Sequence, residues 1–165
     1  MKRIQFPILA TIVLLSLASC KKDDGPTQAN NNPNGGGNNN CNFTTDVIAV
    51  DGVTKAIIHP ICHVLGTSYF AEFLVDTSAA PTGVAMIFAG TTRPAAGTYT
   101  IVPTVTQVTA GNVFVEYYDP TNAWDGTTGT VTVAASGSQS LITFCSVTLT
   151  GTGTKAVSVR ATTNL

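Results

Sequence analysis

Charge is scarce in this chain: Asp, Glu, Lys and Arg make up 10% of its 165 residues, the formal net charge is -1, and there are two histidines and one tryptophan. From Cys41 onward, four bases (Lys55, Arg93, Lys155, Arg160) meet seven acids (Asp46, Asp51, Glu72, Asp76, Glu116, Asp119, Asp125). With no basic patch, nothing here attracts nucleic acid. The apolar run from Ile8 to Leu17 is too short to span a bilayer. There is no Gly-x-Ser-x-Gly elbow, no His-Glu-x-x-His and no glycine-rich phosphate loop, and a catalytic triad would have to draw on His59 or His63. Glu72 and Glu116 read as isolated acids in strands, and no cofactor is implied.

What is present begins at the amino end. Lys2 and Arg3 precede the apolar run, and the small residues Ala18 and Ser19 close it, the layout of a secretory signal. Leu17-Ala18-Ser19-Cys20 resembles the lipobox of bacterial lipoproteins. That resemblance implies removal of residues 1–19 and lipidation of Cys20, palmitate included, as the new first residue. Several acyl chains, at roughly 0.8 kcal/mol per buried methylene, hold a protein to a membrane effectively for good. Lys21-Lys22-Asp23-Asp24 resembles the export signal of Bacteroidetes-type surface lipoproteins, which implies an outer-membrane protein, lipid-anchored and exposed at the cell surface.

Residues 25–40 carry no charge and are mostly asparagine and glycine. Such a segment buries too little to offset the entropy of ordering it, so residues 20–40 read as a lipidated cysteine and a disordered tether. A flexible chain of about sixteen residues spans roughly 20 to 25 Å. Residues 41–165 then form one domain of ordinary size. Twenty-five of these residues are threonine, and with the many valines they favour extended chain. No amphipathic helical repeat of useful length appears. The reading is all-β, a single antiparallel β-sandwich of eight or nine strands, with a lipocalin-like β-barrel as the alternative. Strands are expected at 68–75, 84–88 (central), 98–102, 113–118, 130–134, 141–149 and 155–162, with Gly111-Asn112 turning a hairpin into Val113.

Asp51-Gly52 reads as a two-residue hairpin turn that sets Val50 opposite Val53. Extending that register places Cys41 opposite Cys62 on an inward face with Phe43, Val47, Ala49, Ala56, Ile58 and Val64. The outward face then carries Asn42, Thr44, Asp46, Lys55, His59 and His63. An exported chain meets conditions in which disulfides persist, so a Cys41–Cys62 bridge is expected, with Cys145 unpaired. Three reduced, buried cysteines are the alternative. His59 and His63 share a strand face but lie roughly 13 Å apart along it, too far for one ion, and no metal site is expected. Pro60 marks a sheet edge or bulge.

One loop draws functional attention: Tyr117, Tyr118, Asp119, Asn122, Trp124 and Asp125 gather aromatic rings and acids on a connection, where binding usually sits. Rings beside carboxylates suit sugars. The competing and favoured expectation is that Trp124 folds inward as a plug while the acids cap turns. Calcium at Asp119, Asn122 and Asp125 lacks an EF-hand spacing. The functional expectation is a surface-anchored lipoprotein with a non-catalytic binding or structural module, glycan or protein being the ligand. The alternatives are a surface hydrolase or a carrier of an apolar ligand.

Overall fold

The structure, a computed structural model, describes residues 41–164. It is all-β, one mixed sheet of eleven strands. These are β1 (Val47–Val50), β2 (Val53–Ala56), β3 (His59–Leu65), β4 (Ser68–Leu74), β5 (Gly83–Ala89), β6 (Gly97–Ile101), β7 (Asn112–Tyr118), β8 (Ala123–Gly126), β9 (Thr130–Ser136), β10 (Gln139–Gly151) and β11 (Gly153–Asn164). The helical content of the described residues is a single 3-10 turn at Val105–Gln107. No helix among them is long and apolar enough to cross a membrane.

Neighbours run β2-β1-β11-β10-β9-β6-β7-β5-β4-β3, and β8 fills the remaining gap between β7 and β10. The sheet folds over on itself. One face is lined by Ile48, Ala71, Phe73, Met86, Phe88, Val115, Trp124, Ile142, Leu149 and Val159, residues of seven strands that belong to a single buried cluster. Cys62 of β3 reaches across this core to Thr163 of β11, Sγ to Oγ1 3.1 Å. The two ends of the sheet meet at Ile57-Ile58: the amide of Ile57 donates to Asp46 O beside β1, and that of Ile58 to Leu74 O of β4.

The two strands beyond the expected nine arise locally. Residues 53–64 divide at Ile57 into β2 and β3, and part of the aromatic loop is the strand β8. The span 84–88 lies inside the sheet as expected, between β4 and β7. Its uninterrupted apolar sequence matches burial on both faces, Met86 inward and Ile87 outward. The hairpin expected at Gly111-Asn112 is overturned. There β6 and β7 pair in parallel, Thr100 with Asn112 and Ile101 with Val113. Residues 102–111 carry the chain back through the 3-10 turn, since a parallel neighbour needs a crossover connection.

Asp51 (φ +50°) and Gly52 (φ +83°) make the expected hairpin turn, with Val50 on Val53 and Val47 on Ala56. The face assignment is corrected. Ile48 points into the core beside Val159, while Val47 and Ala49 lie on the other side beside Arg160 and Ser158. Ala56, Ile58 and Val64 are exposed. Val-Ile-Ala-Val is apolar on both faces, so only the pairing with β11 decides which side turns inward. Pro60 does stand on an edge strand, β3, whose partner in the sheet is β4.

The Cys41–Cys62 bridge is also overturned, for Cys41 is joined to Cys145 with Cα atoms 5.9 Å apart. The hairpin register ends at Ala56, where the chain passes from β1 to β4, so Cys62 faces Ala71 and is buried. Residues 41–46 instead run over the outside of β11, held where Arg160 and Thr162 donate to Asp46. Cys145 lies in a β-bulge between Phe144 and Val147, a device that re-aims a side chain out of the regular ladder.

Candidate functional site

The aromatic stretch is a tight hairpin rather than an open loop. Its turn closes where the Asp119 amide donates to Asn122 O, and Asp119 Oδ1 accepts the Thr121 and Asn122 amides at 2.9 Å each. Burial alone would raise the Asp119 pKa, but the bonds from Thr121 and Asn122 hold it below the usual carboxylate range. This is an Asx turn, the capping role expected of the acid.

Alternation along β7 and β8 then separates the side chains. Tyr117 faces Trp124 across the pair and both point inward, their rings stacked with centroids 5.4 Å apart. Trp124 is only 4% exposed, and Gly151 leaves the space its indole occupies. Lys155 Nζ lies 5.7 Å from the indole centroid and is also bonded to Asp51. The tryptophan is thus the expected plug, and a sugar-stacking platform built on Trp124 and Tyr117 is corrected, because both rings belong to the core.

Tyr118 and Asp125 point outward, where register builds an arrangement that single-residue inspection misses. Glu72 of β4 faces Ala85 of β5, Ala85 faces Glu116 of β7, and Glu116 faces Asp125 of β8. Directly opposed residues share a face, so the three acids form one row across four strands. Gly83 makes room for the Tyr118 hydroxyl, which passes over it and donates to Glu72 Oε1. Burial, with Asp125 opposite it across the strand pair, pushes the Glu116 carboxyl up to about 7, so Glu116 holds its proton below neutral pH. Burial raises the Asp125 carboxyl too, and Glu116 partly offsets this. The Tyr118 hydroxyl is pushed well above the usual phenol range, by burial first and then by Glu72.

Glu72 and Glu116 therefore share one row of the sheet, with Ala85 of β5 between them, rather than standing as isolated acids. The signal was in the sequence: a two-residue turn at Pro120-Thr121 puts Glu116 opposite Asp125 and Tyr117 opposite Trp124.

His59 is exposed and His63 stacks on Phe70 at 4.9 Å, both on the side of β3 opposite Cys62. Among the described residues, no group of three or more histidine, cysteine or acidic side chains is placed to hold a metal ion. Cys20 and Lys21, Lys22, Asp23 and Asp24 lie outside the described residues, as does the tether. Comparison with known proteins gives no relative to read the site against: no family model, no curated protein and no solved structure matches the chain.

Proposed function

We propose that the chain is a lipid-anchored surface protein, held through Cys20, whose β-domain serves as a structural or protein-binding module rather than a catalyst. The observation that carries this reading is the Cys41–Cys145 bond. Disulfides persist in oxidising compartments, which agrees with export. Its position also suits a tethered domain. Cys41 is the first residue after the asparagine-glycine segment, and the bond links it covalently to β10, a thirteen-residue strand inside the sheet. A pull on the tether enters the domain there and bypasses the four-residue β1.

A surface hydrolase is the second reading, and one observation favours it. Glu116 is raised beside a second carboxyl, the pattern of a general acid next to a carboxylate. Yet glycosidase acids stand about 5 Å or more apart to admit the reacting bond. Glu116 and Asp125 stand directly opposite each other on adjacent strands, and Glu72 is engaged by Tyr118. A carrier of an apolar ligand would need an open interior, and here Phe73, Phe88, Met86 and Trp124 occupy it.

The anchor is tested by protease treatment of intact cells expressing the wild type or Cys20→Ala. Digestion of the wild-type domain without lysis, and its loss from the membrane fraction in the variant, is the expected outcome. A wild-type domain cut only after lysis would overturn surface exposure.

A further inference from the structure

Strand β8 is one of the three shortest strands of the sheet. It is four residues long and meets β10 through two residue pairs, Gly126 with Leu149 and Asp125 with Thr150. Its attachment to β7 runs through Glu116–Asp125, Tyr117–Trp124 and Tyr118–Ala123. Trp124, next to Asp125, lies inside the core, so β8 cannot leave the sheet without bringing the indole toward water.

Asp125 Oδ1 is buried with no hydrogen-bond partner among the fixed donors of the described residues. Directly across the strand pair stands Glu116, whose carboxyl can carry a proton. The groups facing Glu116 are acidic or neutral on every side: Glu72 from β4, Asp125 from β8, and the Tyr118 hydroxyl two residues along β7. Ala85 of β5 and Thr150 of β10 complete the row without charge, and Asp76, after β4, adds a negative field at Tyr118. The nearest bases by register are His59 and His63 on β3, one strand beyond Glu72. Once the shared proton leaves, no cationic side chain among the described residues lies in the register row to replace it, and three carboxylates stand along that row.

We propose that a proton shared by Glu116 and Asp125 is a latch that keeps β8 docked, and that its loss frees the β7–β8 hairpin and exposes Trp124. The burial of Glu116 supports a release point near pH 7, since its carboxyl is held up to about that value. The result is a device in which mild acidity closes the hairpin and mild alkalinity opens it.

Trp124 is the only tryptophan in the chain, so the protein carries its own reporter. Full-length protein in detergent micelles is titrated from about pH 5 to about pH 9 while Trp124 emission and its quenching by iodide are followed. The wild type is expected to shift to longer wavelength, with iodide quenching rising about threefold as local opening exposes the ring. The midpoint is expected near pH 7. Glu116→Gln, whose amide donates at every pH, is expected to stay closed throughout. Asp125→Asn removes the acceptor charge and is expected to lose the midpoint as well, which keeps the test decisive if either variant fails to fold. A wild-type signal flat across the range, or an unchanged midpoint in whichever variant folds, would overturn the proposal.

Discussion

Removing the Cys41–Cys145 bond by the double substitution Cys41→Ser and Cys145→Ser should cost more stability than any single core truncation of modest size. The two residues are 104 apart in sequence. Closing a loop of about 100 residues stabilises a fold by about 4.7 kcal/mol when the effect is counted as lost chain entropy in the unfolded state. Part of that constraint has a second source, because Arg160 and Thr162 hold Asp46 against β11 even without the bond. We therefore expect a loss of about 3 to 4 kcal/mol. At about 4 °C per kcal/mol for a domain of this size, Tm falls by about 12 °C or more. Calorimetry of the wild type and the double variant, both soluble in the same detergent, measures it. Cys62→Ser serves as the comparison, since Ser retains a hydroxyl for Thr163 and should lose much less. A double variant melting within about 2 °C of wild type would refute the reasoning. So would a Cys41–Cys62 peptide in a non-reducing map.

Two further outcomes follow from the packing and the charges. Gly151→Ala places a Cβ 2.2 Å from Ala123 O and 2.9 Å from Trp124 Cδ1, and backbone cannot yield as a side chain does. It should destabilise by about 2 kcal/mol or more in urea unfolding, while Gly97→Ala, with open space around it, should change stability by under about 0.5 kcal/mol. For pH, the folded Glu116 carboxyl sits above its ordinary value, so between about pH 4.5 and about pH 7 the folded state binds more protons than the unfolded one. Stability should thus fall as pH rises through that window, by about 2 kcal/mol once partial solvent screening is allowed for, and Glu116→Gln should flatten the decline. A wild type equally stable across the window would contradict the assignment.

The local rules of extended chain were enough to read the class of fold and many of the strands, because Thr and Val runs bounded by Gly, Pro and Asn leave few alternatives. The Asp51-Gly52 turn was legible together with its register, and so was the inward fate of Trp124. What the sequence withheld was pairing between distant strands. The inner face of β1 is chosen by β11, more than a hundred residues away, and the partner of Cys41 by a bulge in β10 that no local pattern announces. The acidic row was hidden for a related reason. Glu72, Glu116 and Asp125 become neighbours through Ala85, a residue with no chemistry of its own.

The placement of β1 between β2 and β11 has a consequence for how the molecule comes into being. The first long-range ladder of the chain is with its last strand, Val47 on Arg160, so beyond its local hairpin with β2 the strand β1 has no partner until the carboxyl-terminal residues arrive. Contacts of such separation slow folding, because a long loop must close before they give any return. A chain emerging amino end first would pass most of its length through any channel before its ends could join. In that interval Cys62 appears ahead of Cys145, and the wrong thiol is the first within reach of Cys41. Maturation then turns on the order of two events, the departure of β3 toward β4 and the oxidation of Cys41, since a Cys41–Cys62 link made first would hold Cys62 away from its place beside Thr163 and leave Cys145 without its partner.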